Sequence, residues 1–329
     1  MPAFRLTGPR ATELVEQPVP PIGAGQLLVR ARYTAVSAGT EVRMYRGEEH
    51  VPQNPQEYPM ASGYSMVGTV EQVGRDVVGF DPGDRVFVLE PHQSWAVVDA
   101  GNAFRLPTGA DDQRFAYALV AEIALHALRR CSPTFGESAA VFGQGVVGLA
   151  GIAVARAWGL RTIALDLAAD RLELSTRIGA DLAVLADSAD VAAAVNDFAG
   201  PAGVDLALES ASSWQAVRQA YQLLRRGGRL CVVSRHTSVA GINLLEGDLM
   251  TKEITLTSGY AHPVTDVPLD LARWTRPRNL ALIIDRIAAG RLSLDEMVTH
   301  RIRPDQLPDI YARLDRGDTS ISGVIVDWT

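Results

Sequence analysis

Residues 138–149 read SAAVFGQGVVGL, and the interpretation of the whole chain turns on this stretch. Ser138 to Phe142 is a short apolar run of strand type. It breaks into Gly143-Gln144-Gly145-Val146-Val147-Gly148, which fits G-x-G-x-x-G, and an Ala-rich helical pattern follows from Leu149 to Trp158. Each glycine has a mechanical reason. Gly143 serves the tight turn, Gly145 lets the backbone approach a pyrophosphate, and Gly148 lets the helix pack close to the strand. The free N–H groups of Val146 and Val147 and the positive end of the helix dipole then face that phosphate.

A lone glycine motif is weak evidence, but its surroundings support it. The next apolar run, Thr162 to Leu165, ends in Asp166, about 20 residues on, where an acid accepts hydrogen bonds from the adenosine ribose. Leu167 and Ala168 bring no base to meet a 2′-phosphate, and a carboxylate repels one, so the sequence favours NAD over NADP. Arg171 either covers the adenine face or is an ordinary exposed helix arginine. Ser210, after Glu209 at a strand end, stands where the loops of an open sheet face their ligand, and Arg235-His236 points the same way from the next strand.

The 329 residues suffice for two domains, and 47% hydrophobic with 21% charged residues is a soluble globular composition. No apolar run is long enough to cross a bilayer, and MPAFRLTGPR lacks a signal-peptide core. A net charge of −7 argues against nucleic acid and anionic membrane as partners. Cys131 and Cys231 form neither a C-x-x-C metal pattern nor a disulfide framework, which fits a reducing cytoplasm.

Residues 1–119 alternate in the manner of short strands punctuated by Pro and Gly, an all-β unit forming a compact, partly open barrel. Strand and helix patterns then alternate through 120–264, implying a doubly wound parallel sheet. Helices are predicted at Ala169–Ile178, Ser188–Ala199 and Trp214–Leu224. The segment 265–329, with helices at Asn279–Ala289 and Pro304–Leu314 and a closing strand Gly323–Asp327, is expected to return to the first unit.

A β-barrel, then G-Q-G-V-V-G, I-G-A-D (178–181) and G-V-D-L-A-L-E-S (203–210) resemble the medium-chain dehydrogenase/reductase superfamily over essentially the whole chain. The resemblance implies a GroES-like N-terminal catalytic domain completed by the C-terminal segment, and an NAD-binding Rossmann domain. It departs at the metal. The family's zinc cysteine falls on Ala38, its zinc histidine on Tyr64 and the next glutamate on Ser65, and the four-cysteine lobe is missing. Alanine cannot ligate, and tyrosine and serine are poor zinc ligands, so no zinc is expected. G-Y-S-M-V-G (63–68), P-H-Q (91–93), S-A-G-T-E (37–41) and V-I-V-D-W (324–328) look like the bacteriochlorophyllide hydroxyethyl dehydrogenases, a zinc-less branch that oxidises a secondary alcohol with NAD.

Without a Lewis acid, side-chain donors must take the hydroxyl proton and steady the carbonyl dipole. By alignment Thr40 stands in the family proton relay, and Tyr64 offers a phenolic hydrogen bond to the substrate oxygen. His92 is the candidate general acid/base, with Glu122 or Glu41 orienting it or Tyr64. Arg43 aligns near the cofactor ribose. Each has a bland alternative: Thr40 as a turn cap, Tyr64 as core filling, His92 as a loop residue, Glu122 as a helix-start charge. The expectation is a zinc-independent, NAD-dependent dehydrogenase or ketone reductase. The alternatives are an NADPH-dependent quinone or enone reductase, an epimerase retaining NAD, and a non-catalytic NAD(H)-binding protein. Family dimers join through the last sheet strand, which here places a homodimer contact at Glu253–Thr257, an edge otherwise left unpaired.

Overall fold

The computed structural model describes residues 1–48, 57–236, 243, 247–259 and 267–329. The chain divides into two compact units. The first comprises Met1–Leu119, Ile284–Ala289 and Val298–Thr329, and the second Val120–Ile283 and Gly290–Met297. The expected boundary at 264/265 lies outside the described residues. The following segment to Ile283 counts with the second unit, so the return to the first unit comes at 284 and again at 298, not at 265.

The first unit contains β1 (Pro2–Gly8), β2 (Ala11–Glu16), β3 (Gln26–Val36), helix α1 (Ala38–Arg46) and β4 (Met60–Ala61). It continues with β5 (Met66–Val73), β6 (Arg85–Val88), β7 (Trp95–Asp99) and β8 (Phe104–Arg105). Helix α2 (Ala118–Arg130) leads into the second unit: β9 (Ser138–Phe142), α3 (Val146–Ala157), β10 (Arg161–Asp166), α4 (Ala169–Ile178) and β11 (Leu182–Leu185). Then come α5 (Val191–Ala199), β12 (Val204–Glu209), α6 (Trp214–Leu223), β13 (Leu224–Val232), α7 (Asp248–Thr251) and β14 (Thr255–Ser258). The chain ends with α8 (Arg276–Ala288), β15 (Val298–Ile302), α9 (Leu307–Asp315) and β16 (Gly323–Asp327).

In the second unit six parallel strands lie in the order β11-β10-β9-β12-β13-β14. The glycine-bearing strand is therefore central, and chain direction across the sheet reverses between β9 and β12, the switch point where such sheets bind ligands. All five residues of β9 are buried, as a strand covered by helices on both faces requires. Strand β14 occupies one edge. It begins at Thr255, two residues later than Glu253, which has φ +54° and pairs with Arg226 instead.

In the first unit β16 pairs antiparallel with β3, Val324 opposite Val36, so the C-terminal strand does complete the N-terminal sheet. Phe4, Leu6, Val36, Tyr311, Ile310 and Val324 form the core beneath it. The sequence pattern Gly63–Val73 reads as one strand, yet β5 begins only at Met66. Gly63 is the cause: its φ of +89° is left-handed, and a Cβ there would stand 2.7 Å from the His92 ring.

Candidate active site

The glycine turn joins β9 to α3. Gly143 has φ +84°, and a Cβ on it would meet Ala211 at 2.7 Å. At Gly148 a Cβ would lie 1.8 Å from the Gly143 carbonyl oxygen, so only hydrogen fits between turn and helix. Around Gly145 nothing comes within 4 Å of the Cβ position, leaving open backbone for a phosphate. Gly145 is the N-cap of α3, and by helix geometry the amides of Val146 and Val147 have no carbonyl four residues back to bond.

Asp166 closes the other side. Its Oδ2 accepts from the Gln144 amide at 2.5 Å and its Oδ1 from the Ala168 amide at 2.9 Å. Each oxygen keeps a lone pair for a ribose hydroxyl. The middle residue of the motif, Gln144, escaped the sequence reading. It is fully buried, donates to the Val141 carbonyl at 2.7 Å and accepts from Ser175 Oγ at 3.0 Å, which ties the turn to α4. The Ser210 hydroxyl lies 2.9 Å from both the Phe142 and Gly143 carbonyls. Its one hydrogen is committed to the turn, which it braces from behind, and only its lone pairs stay open to a donor. Arg171 is half-buried, and its Nε has no partner among the described residues.

A second acid stands at this sheet end. Fully buried Glu209 accepts from Ser234 Oγ at 2.5 Å and pairs with His236 Nε2 at 2.8 Å, and Trp214 lies against the His236 ring with centroids 4.4 Å apart.

In the first unit the sequence-predicted residues separate. His92 is wholly buried and both its ring nitrogens are committed: Nδ1 to Thr34 Oγ1 at 2.7 Å, Nε2 to Glu41 Oε2 at 2.9 Å. Glu41 also accepts from the Tyr311 hydroxyl and, at 2.6 Å, from the Ser37 amide. Ser62 Oγ lies 2.9 Å from the Tyr311 hydroxyl, and Trp328 Nε1 donates to Thr34 at 2.9 Å. Burial and the neighbouring Glu41 carboxylate push the Tyr311 phenol well above its usual value. His92, Thr34, Glu41, Ser62 and Tyr311 are all fully buried. His92 is therefore not placed to exchange protons with a substrate, and Glu41, not Glu122, orients it.

Glu122 belongs to the second unit. It is fully buried, accepts from Asn279 Nδ2 at 3.0 Å and lies 4.0 Å from Arg276 Nε, fastening α2 to α8. Arg43, on α1, stands 4.0 Å from Glu48. Thr40 sits half-buried in the first turn of α1, its amide donating to the Ser37 carbonyl at 3.1 Å. Tyr64 is half-buried too, and its charge would raise the pKa of the buried Tyr117 and Tyr311 phenols. Burial pushes the Glu90 carboxyl, in the segment after β6, up to about 7.

The positions where the family resemblance puts zinc ligands do not fit the metal. Ala38 has no donor, and Ser65 spends its hydroxyl on the Ala116 carbonyl at 2.6 Å. No three His, Cys, Asp or Glu side chains among the described residues come together as a metal-binding group. A catalytic zinc site needs three such ligands and an open position.

Sheet order, glycine turn and ribose acid define a dinucleotide-binding oxidoreductase fold. Comparison with known proteins agrees. Residues 23–132 match the alcohol dehydrogenase GroES-like domain, and residues 146–271 match the zinc-binding dehydrogenase domain. An alcohol dehydrogenase of Cupriavidus necator is 25% identical, with 94% of each chain covered. Among solved structures, an Escherichia coli alcohol dehydrogenase complexed with NADH aligns over 99% of both chains, with TM-score 0.84 at 18% identity. The 2R,3R-butanediol dehydrogenase of Bacillus subtilis aligns over 99% of both, with TM-score 0.81 at 24% identity. The chain belongs to the medium-chain, zinc-type alcohol dehydrogenase family. Among the described residues no helix is long and apolar enough to cross a membrane.

Proposed function

We propose that this protein is an NAD(H)-dependent oxidoreductase that interconverts a secondary alcohol and a ketone without zinc, in a branch of the family that has lost the metal. The reading rests above all on the donor sets of the two units taken separately: a glycine cradle and ribose acid suited to a dinucleotide in the second, and Ala38, Tyr64 and Ser65 at the family's metal positions in the first. The nicotinamide supplies a hydride acceptor or donor at its C4. The protein's own residues do the rest. The Val146 and Val147 amides hold the pyrophosphate, and Asp166 takes the ribose hydroxyls. Thr40, whose hydroxyl makes no hydrogen bond to a described residue, relays the proton, and Tyr64 donates to the substrate oxygen. Arg171 and Arg43 are assigned to the adenine and ribose sides of the cofactor. A homodimer through the outer edge of β14 accounts for its exposed Leu256, and a cytoplasmic location fits the two free thiols.

Asp166 provides the test of cofactor choice. Asp166→Ala is expected to weaken NAD about tenfold, roughly the 1.4 kcal/mol of one hydrogen bond to a charged group, while leaving NADP unchanged or improved. Steady-state binding of both nucleotides by fluorescence measures it. Unchanged selectivity would remove Asp166 from the ribose.

A further inference from the structure

We propose that His236 is the residue of the second unit that receives the nicotinamide carboxamide. Its Nδ1 accepts a hydrogen bond from the amide N–H of the cofactor, and Glu209 fixes the tautomer that makes this possible. The contact rests on the dinucleotide reading above, which leaves the nicotinamide half without a partner in this unit.

Position comes first. A dinucleotide lies across the switch point of such a sheet, one half on each side. With the pyrophosphate at the glycine turn after β9 and the adenosine ribose at Asp166 after β10, the nicotinamide half falls to the ends of β12 and β13. Glu209 is the last residue of β12, and His236 lies shortly beyond the end of β13. A chain of contacts ties both to the turn. The Ser210 amide donates to the Phe142 carbonyl at 2.9 Å, and Ala211 lies 2.7 Å from where a Cβ on Gly143 would stand. The Ser212 amide donates to Ser234 Oγ at 2.9 Å, and Ser234 Oγ donates to Glu209 Oε2 at 2.5 Å. All these residues belong to the second unit, so nothing is required of the first.

The hydrogen bonds also fix where the protons are. Ser234 Oγ takes the Ser212 hydrogen and gives its own to Glu209 Oε2, while Oε1 accepts from the Ser213 amide at 3.3 Å. Glu209 accepts at both oxygens, so the hydrogen in its 2.8 Å contact with His236 belongs to Nε2. A neutral imidazole protonated at Nε2 carries a bare lone pair at Nδ1.

That lone pair is idle. The His236 side chain is only 7% exposed, and its buried Nδ1 has no hydrogen-bond partner among the described residues. A buried acceptor left unpaired is costly. The ring is not free to turn and recover a bond, because Glu209 holds one edge and Trp214 lies against it with centroids 4.4 Å apart. A fixed acceptor at the nicotinamide end calls for a donor on the ligand. The carboxamide nitrogen can only donate, whereas the ribose hydroxyls of that half can donate or accept and are less dependent on a bare lone pair.

The test is calorimetric titration with NAD, with its acetylpyridine analogue, in which an acetyl group replaces the carboxamide and the N–H is gone, and with ADP-ribose, which keeps the ribose and lacks the ring. Wild type, His236→Phe, His236→Asn and Glu209→Gln are compared, with thermal melts to check the fold of each. Wild type is expected to bind NAD roughly tenfold tighter than the analogue, the contribution of one hydrogen bond. His236→Phe should lose that preference, with ADP-ribose affinity kept within about twofold. His236→Asn, whose amide oxygen stands in for Nδ1, should keep part of it. Glu209→Gln, whose amide can donate to Nε2 and release the tautomer, should weaken it. A wild type without the preference would overturn the assignment with no variant needed, and so would a folded His236→Phe that retains it. Equal weakening of all three ligands in His236→Phe would move the effect to the ribose or the fold and overturn it too. In each of these cases the dinucleotide reading stands; wild type that binds none of the three would remove that reading and the His236 contact together.

Discussion

His92→Ala is expected to lose about 3–5 kcal/mol of stability, read as a lower urea midpoint at neutral pH. The ring fills a fully buried site, and its two nitrogens satisfy Thr34 and the Glu41 carboxylate. Removing it leaves a cavity and strips a buried carboxylate of one partner, and the two costs act together. For a domain of ordinary stability, about 5–15 kcal/mol, this is a large fraction. Thr34→Val should cost less, because it removes a neutral hydroxyl and leaves the Glu41–His92 pair in place. If His92→Ala is as stable as wild type but inactive, the network is not structural and His92 returns to the chemistry.

The second large effect belongs to Gly148→Ala. The new methyl would need the space 1.8 Å from the Gly143 carbonyl oxygen, and a backbone atom cannot swing aside as a flexible side chain does. Either α3 moves away from the turn or the turn opens, and both displace the Val146 and Val147 amides. We expect a loss of about 2–3 kcal/mol in stability from overpacking and about 100-fold weaker NADH binding, some 2.7 kcal/mol. Gly145→Ala is the informative partner. Its Cβ meets no protein atom, so the fold should tolerate it and any loss should fall on the nucleotide. Calorimetric titration of both variants separates the two. Equal affinity across wild type and both variants would place the dinucleotide elsewhere.

Local chemistry made the second unit legible. Its helices repeat with the right period, its strands are short apolar runs, and left-handed glycines mark its turns; α4 spans Ala169–Ile178, the same bounds that the pattern indicates. What the sequence hid were side-chain partnerships made across long stretches of chain. Tyr311 reaches Glu41 from 270 residues away and Asn279 reaches Glu122 from 157, and no periodicity encodes either. Glu41 and Glu122 looked interchangeable as partners for His92 because alignment places residues on elements but does not aim them. Gln144 carries no signal because the motif fixes only its glycines, and Ser210 reads as a ligand contact because a strand-end serine can equally face the ligand or brace the turn.

The proposed function requires a dinucleotide seated on the glycine turn of a protein that needs no metal. Titration of chelator-treated, metal-free protein with NADH, followed by quenching of tryptophan fluorescence, addresses both halves at once. Saturable binding at one nucleotide per chain, unchanged by adding zinc, is the expected result. No saturable binding, or binding that appears only when zinc is restored, would contradict it.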